Sequence, residues 1–200
     1  MIMENEIFKL RKEHVNFKKL LNLLDAQLDI LGKSGDPDYQ LMTDILYYMT
    51  QYSDVVHHPI EEAIFALLVV RDPRMKNKVA ELTKQHYTIG KSGSIFYEKL
   101  HNIIGKTEIR QLIEIEISGR LYTDTLRAHM DMEEQSLFVL AEQLLNDDDW
   151  KKINSVTQTM PDPIFGEAIE ARFHLVCEKL ARSVDNLSKR GLSGSRSGPM

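Results

Sequence analysis

Histidine and glutamate occur in this 200-residue chain at spacings that suit metal binding. His14 lies on one amphipathic stripe of the sequence, and a His-x-x-x-Glu pair, His57 and Glu61, lies on the next. Positions i and i+4 of an α-helix are about 40° apart around its axis, so both side chains of the pair point to the same side. Imidazole and carboxylate together are typical ligands of iron, manganese or zinc.

The same pattern occurs a second time, 72 residues further along the chain. His86 repeats His14, and the pair His129 and Glu133 repeats the earlier His-x-x-x-Glu pair. Two helical hairpins related by a pseudo-twofold axis would bring these histidines and glutamates to one level of a helix bundle. Buried carboxylates need positive charge to offset their desolvation. Two iron ions would supply that charge, with each glutamate bridging both.

The second helix also contains a rival pair at the same spacing, His58 and Glu62. This pair lies one residue off the register set by the second half of the chain. Because adjacent residues of a regular helix do not point inward equally well, we favour the pair at 57 and 61 and expect His58 to lie off the ligand face. Pro59 predicts a kink of this helix at the site. Glu62 and its counterpart Glu134 are expected at the edge of the site or in solvent.

Long helices must position these residues, because apolar residues recur at three- and four-residue steps between a few turn-like segments rich in Gly, Pro and Asp. The pattern predicts an all-α fold, an up-down-up-down four-helix bundle with an additional C-terminal helix. The predicted helices cover residues 4–31, 37–70, 73–104 and 107–146, followed by a shorter fifth element and a C-terminal helix over 162–189.

These elements divide the chain into a bundle over residues 1–146, a helical extension packed on it over 147–190, and a flexible tail over 191–200. The amphipathic stripe of the extension favours packing along the bundle over a dimer interface, so a monomer and a homodimer both stay open. Cys177 on this stripe is expected to be a small core residue rather than a redox switch.

The composition excludes several other classes of protein. The net charge of −5 argues against nucleic-acid binding, which needs a basic surface. The single cysteine excludes an intramolecular disulfide and a four-cysteine zinc site. No apolar run is long enough for a membrane span or a secretory signal, so we expect a cytoplasmic, reduced protein.

Taken together, the two lone histidines and the segments 57–62 and 129–134 resemble hemerythrin-like proteins with the HHE cation-binding domain. The resemblance covers roughly residues 5–145. It implies a four-helix bundle that holds two iron ions in an oxo- or hydroxo-bridged, non-heme di-iron centre. The ligands carried over by position are His14, His57, Glu61, His86, His129 and Glu133.

Two departures from the oxygen-carrying hemerythrins bear on function. Those proteins have a further histidine one turn after the ligand of the third helix, where this chain has Gly90, and their carboxylate ligands are asymmetric. Four histidines and two glutamates leave more open coordination positions, and we expect Gly90 and Gly93 to leave space beside them. The pattern is closer to the di-iron proteins implicated in repairing iron centres after nitrosative or oxidative stress.

Three functions follow as hypotheses. The first is a di-iron protein that reacts with O2, NO or peroxide in a stress response. The second is a di-iron oxidase or peroxidase with a small substrate. The third is a helical interaction module without metal, whose core histidines are accidental. His101 and His174 have no partner in the repeat and are expected to be surface or packing residues.

Overall fold

The computed structural model describes residues 6–103, 109–157 and 160–193, and it describes side chains as far as residue 183. Helices make up most of these three ranges, and no strand occurs within them. The predicted all-α fold is therefore confirmed. No helix in the described ranges is both long enough and apolar enough to cross a bilayer.

The first two long helices form one hairpin. Helix α1 spans Glu6–Gly32 and buries a stripe of leucines. The second long helix consists of α2 (Tyr39–Tyr48), a π-helical segment (Met49–His57) and α3 (His58–Arg71). It begins where the Asp38 side chain accepts a hydrogen bond from the backbone N–H of Leu41, as a capping residue does.

The second hairpin follows a short 3-10 turn, Pro73–Met75. Helix α4 spans Lys76–His101, and the fourth long helix consists of α5 (Ile109–Met132), a π-helical segment (Glu133–Leu137) and α6 (Phe138–Leu144). Helix α1 packs on α5, α4 packs on α2, α3 and α5, and α3 packs on α6, which closes a four-helix bundle. The predicted helix ends at 104 and 107 lie outside the described residues.

Both π-helical segments occur at the level of the predicted ligands. In the second long helix, the N–H of His58 donates to the carbonyl of Ser53, five residues earlier, and Pro59 follows with no N–H to donate. In the fourth, the N–H of Phe138 donates to the carbonyl of Glu133 with the same spacing. The disturbance predicted from Pro59 therefore takes the form of a widened helical turn.

The C-terminal region differs from its prediction. Helix α7 (Asp147–Val156) is the shorter fifth element, but helix α8 spans His174–Ser193 and does not begin at 162. Residues 161–170 form turns instead, because two prolines flank Asp162, whose carboxylate accepts the N–H groups of Ile164 and Phe165. Helix α8 contacts α1 and α2 and extends three residues into the range predicted as a tail. The rest of that range, 194–200, lies outside the described residues.

Candidate metal centre

The four long helices bring the six predicted ligand residues together in the middle of the bundle, where all of them are buried. Helix α1 supplies one histidine and α4 another, and the other two long helices supply one His-x-x-x-Glu pair each. The carboxylates of both pairs are shielded from solvent entirely. The cluster consists of His14, His57, Glu61, His86, His129 and Glu133.

Glu61 lies between the two pairs of histidines. Its Oε1 is 3.0 Å from Nε2 of His57 and 3.5 Å from Nε2 of His14. Its Oε2 is 3.4 Å from Nε2 of His86, on the opposite side. One carboxylate therefore presents one oxygen to each half of the cluster.

Glu133 has the complementary arrangement. Its Oε1 is 3.1 Å from Nε2 of His129 and 3.4 Å from Nε2 of His86. Its Oε2 is 3.6 Å from Nε2 of His14. Each carboxylate thus reaches from the histidine of its own helix to the other half of the cluster, and the two carboxylates point in opposite directions. The pseudo-twofold repeat predicts this arrangement.

The geometry of these residues fits metal binding better than hydrogen bonding among the residues themselves. Both oxygens of Glu61, Oε2 of Glu133 and Nε2 of His129 are buried without a hydrogen bond of acceptable geometry among the described residues, despite their close neighbours. Two ligand atoms, each about 2.1 Å from one ion at a right angle, lie about 3 Å apart, which is close to the distances observed. Short contacts that are not hydrogen bonds are what a shared cation would explain.

Two of the imidazoles are oriented by hydrogen bonds outside the cluster. In each case the partner residue lies on the preceding long helix. Nδ1 of His57 lies 2.7 Å from Oε2 of Glu13, and Nδ1 of His129 lies 2.9 Å from Oε1 of Gln85. Glu13 and Gln85 are themselves 72 residues apart and directly precede the lone histidines. The two residues match in the 72-residue repeat, but sequence analysis assigned no role to either of them.

The other two imidazoles are oriented by the residues that follow the central glutamates. Nδ1 of His14 lies 3.0 Å from Oε1 of Glu134, and Nδ1 of His86 lies 3.3 Å from Oε1 of Glu62. The expected position of these two glutamates at the edge of the site is confirmed. Each of the four imidazoles therefore uses Nδ1 outward and keeps Nε2 for the centre, as metal-binding histidines do.

Without metal, the electrostatics of the cluster favour the charged forms of two of its imidazoles, those of His57 and His86. Burial lowers the pKa of His57, but the charge of Glu61 and the hydrogen bond to Glu13 outweigh it and raise that pKa to about 10. The pKa of His86 is also raised to about 10, because its contacts with Glu133 and Glu61 outweigh burial. Burial raises the pKa of Glu61, but the surrounding histidines lower it well below its usual value. In the absence of metal, protons on these imidazoles supply the positive charge that metal ions would supply in a loaded site.

His58 does not lie off the ligand face, so that expectation is wrong. Only 5% of it is exposed, compared with 1% of His57, and its ring stacks on His86 at a centroid distance of 4.1 Å. It has a nitrogen within 4.8 Å of ligand atoms of Glu61, His86 and His129. The expectation assumed a regular α-helix, whereas the π-helical segment ends at His57 and turns both neighbours inward.

His58 also has outer partners of its own. Its Nδ1 lies 3.1 Å from Oδ1 of Asp54, and its Nε2 lies 3.3 Å from the hydroxyl of Ser53. The position that corresponds to it in the second half of the chain is Met130, which is buried and carries no metal-binding nitrogen. His58 therefore breaks the symmetry of the cluster.

The two halves of the cluster differ in access. The half around His14 and His57, which we call the closed half, is covered by Phe138, whose ring stacks on His14 at 5.4 Å, and by Phe17. The half around His86, His129 and His58, which we call the open half, faces a pocket of about 630 Å³. That pocket is lined by Asp54, His58, Pro59, Glu62, Thr83, His86, Tyr87, Gly90, Lys91 and Ser94.

Of the two glycines expected to leave space, Gly90 does and Gly93 does not. Gly90 lines the pocket, and a Cβ there would lie 3.0 Å from Oδ2 of Asp54. Around Gly93 the space is filled by Tyr122 and Thr50, at 3.0 and 3.1 Å from the same hypothetical atom. Gly90 therefore forms part of the pocket wall, whereas Gly93 is packed in the interior of the bundle.

The remaining candidate residues lie away from the cluster. His101 and His174 are exposed, as expected. Cys177 is half-buried against the apolar core, and burial raises the pKa of its thiol, which agrees with a packing role.

One comparison with known proteins identifies a family. The family model described as the hemerythrin HHE cation binding domain matches residues 5–141. No curated protein and no solved structure matches the chain. The matched range contains the whole cluster and ends within α6.

Proposed function

Because the chain belongs to the hemerythrin HHE cation-binding family, we propose that it binds two iron ions and reacts with O2, NO or peroxide at the open half of the cluster. The observation that carries the proposal is the placement of Glu61 and Glu133, each with one oxygen toward either half. A single ion would leave half of these buried carboxylate oxygens uncompensated.

Each residue has a definite task in this proposal. In the closed half, His14 and His57 would hold one ion; in the open half, His86 and His129 would hold the other. Glu61 and Glu133, each with one oxygen toward either half, would be shared by the two ions. Iron in such a ligand set supplies redox chemistry toward O2, NO and peroxide. The lack of thiolate ligands disfavours copper(I) and iron–sulfur clusters.

The side chains that could act on a bound small molecule lie at the pocket. His58 lies beside the open half with Asp54 on its Nδ1, so it is placed to hydrogen-bond a small molecule that enters there. The aromatic residues of the closed half exclude water from the other ion. A role in oxidative or nitrosative stress, of the iron-centre-repair type, fits a site that is open on one side. A reduced, cytoplasmic setting fits the single cysteine.

The test is an absorption spectrum of the anaerobic, iron-loaded and reduced protein, recorded before and after adding O2, NO or peroxide. We expect a near-UV oxo-bridge band after oxidation and a separate spectral change with NO. His101→Ala serves as the control, because that histidine is exposed and outside the cluster. An iron-loaded protein whose spectrum none of the three changes would contradict the proposal. Sustained peroxide consumption above that of free iron would further assign the reaction to the di-iron peroxidase class.

A further inference from the structure

A hydrogen-bonded chain leads away from the closed half of the cluster. Nδ1 of His57 contacts Oε2 of Glu13 at 2.7 Å, and the hydroxyl of Tyr52 donates to the other oxygen of Glu13 at 3.1 Å. The phenol of Tyr52 is thus joined to a predicted metal ligand through one carboxylate. Only 5% of Tyr52 is exposed.

A second tyrosine continues the chain toward the surface. The ring of Tyr48 lies parallel to that of Tyr52, with a centroid distance of 5.3 Å and an angle of 8° between planes. Its hydroxyl donates to Oδ2 of Asp162 at 3.0 Å. Asp162 is held in place by the backbone N–H groups of Ile164 and Phe165, which donate to its other oxygen. It is only partly buried and marks the outer end of the chain.

The second half of the bundle has no such chain at the corresponding positions. The positions that correspond to Tyr48 and Tyr52 in the second half are Arg120 and Asp124, and Asp124 is exposed. Burial raises the pKa of both tyrosines, so their phenols stay protonated at neutral pH. Oxidising a buried phenol without leaving a charged radical requires a carboxylate to take its proton, and Asp162 is in hydrogen-bond contact with Tyr48 for this.

We propose that Tyr48 and Tyr52 form an electron relay that connects the closed half of the metal cluster with the surface at Asp162. The relay rests on the proposed function, because it needs peroxide or O2 at the cluster as the oxidant. Tyr48 loses one electron inward, across the Tyr52 ring, Glu13 and His57. The O–H bond of Tyr48 breaks at the same time, its proton passes to Oδ2 of Asp162, and a neutral tyrosyl radical remains.

The cycle closes when two molecules of a small one-electron reductant, such as ascorbate or a thiol, each give up one electron at Tyr48. The first electron, with the proton that Asp162 returns, restores the Tyr48 phenol; the second passes inward and replaces the electron taken from the metal pair. Peroxide takes up two electrons and two protons to give two waters; the relay supplies one electron, the reduced metal pair the other, and solvent the protons. The relay therefore lets an external reductant reach a cluster that the bundle encloses.

The test uses the full chain, loaded with iron, reduced, mixed with hydrogen peroxide and frozen for electron paramagnetic resonance. We expect a tyrosyl radical signal that narrows when the protein is made with ring-deuterated tyrosine. Tyr48→Phe should abolish this signal and Asp162→Asn should reduce it, both with unchanged iron content. Tyr47→Phe is the matched control, because Tyr47 is the neighbouring tyrosine and packs on Phe173, as Tyr48 does, but is not part of the chain.

Each outcome of this experiment supports or overturns the proposed relay. A signal that survives in Tyr48→Phe overturns it, and so does a protein that takes up iron and is oxidised by peroxide without any tyrosyl signal. In both cases the proposed function stands. A chain that takes up no iron overturns the proposed function and the relay together, and the metal content measured on the same sample distinguishes this case.

Discussion

The closed and open halves of the cluster are built from the same repeat but have diverged in what surrounds it. In the closed half, a carboxylate, Glu13, holds the histidine of the second long helix; in the open half, an amide, Gln85, holds its counterpart. Phe138 stacks on His14 at 5.4 Å in the closed half, whereas the corresponding residue on the open side is the exposed Ala66, and the neighbouring Phe65 lies farther from its histidine, at 6.5 Å from the ring of His86. His58 has no counterpart nitrogen at all, since Met130 occupies that position.

This difference indicates that the two halves of the cluster have different roles. The repeated residues are those that would hold metal, and the residues that differ control charge and access. The closed half has a carboxylate where the open half has an amide, and its aromatic rings lie closer to its histidines, as a retained ion would require. The open half has an extra imidazole and a pocket, as a reacting ion would require.

The largest effect is expected from the central residues that both halves share. Glu133→Ala removes one of the two carboxylates that span the cluster, so we expect loss of both irons and of the oxo-bridge band. The bundle should remain helical by circular dichroism, because its leucine stripes are unchanged. Glu142→Ala is the control on the same long helix, because Glu142 makes an exposed ion pair with Arg11. Retention of one iron in Glu133→Ala would show that the halves are independent.

The adjacent histidines of the second long helix should respond differently. His57→Ala should lower the iron content of the cluster, because it removes a nitrogen that contacts Glu61. His58→Ala should keep about two irons per chain and change the reaction with peroxide or NO at the open half. Metal analysis and stopped-flow absorption measure the two effects. If His58→Ala empties the cluster and His57→Ala does not, the histidine ligand in this helix is His58 instead of His57.

Exchanging the residues that hydrogen-bond His57 and His129 from outside the cluster should reduce the difference in metal affinity between the two halves. Glu13→Gln makes the closed half resemble the open one and should weaken its metal affinity roughly 10-fold, because the partner imidazole becomes less basic. Gln85→Glu should strengthen the open half by a similar factor. Competition with a coloured chelator measures both affinities. Equal affinities in the wild type and in both variants would disprove the assigned role of these residues.

Narrowing the pocket should slow the reaction with peroxide rather than weaken the binding of iron. Gly90→Val adds atoms against Oδ2 of Asp54, so we expect a several-fold slower reaction with peroxide and an unchanged iron content. Ser94→Ala, also in the pocket lining, is the control. A loss of iron in Gly90→Val would mean that the substitution disturbs the ligands themselves.

The smallest effect concerns the metal-free protein. The pKa of His57 is raised to about 10, whereas burial lowers the pKa of His58 from 6.5. At neutral pH we therefore expect His57 to be protonated and His58 neutral, which nitrogen NMR of labelled histidine can measure. The raised pKa of His57 contributes stability that is complete below pH 6.5 and is lost as the pH rises through about 10. Identical titrations of the two histidines would contradict this description.

The sequence predicts the helices and the six clustered residues because both depend on period and repeat. Amphipathic spacing determines which residues of α1 and α4 face inward, and the 72-residue offset selects the histidines and glutamates that meet. The inward position of His58 could not be predicted in this way. It depends on a π-helical turn before Pro59, and the 3.6-residue period does not describe such a turn.

The C-terminal segment shows a different limit. Its apolar stripe predicts a helix from 162, but the two prolines around Asp162 and the capping of the next two amides favour turns there. The same turn places Asp162 against Tyr48, a contact between residues far apart in the chain. Periodicity within one element carries no information about such a contact.

Native mass spectrometry of the iron-loaded protein tests the central claim most directly, because it counts ions on each chain. The shared glutamates predict that the dominant species carries two irons, that single-iron chains are scarce at partial loading, and that Glu133→Ala loses both ions together. A dominant single-iron species in the wild type would contradict the account, because it would mean that Glu61 and Glu133 do not join the two halves into one centre.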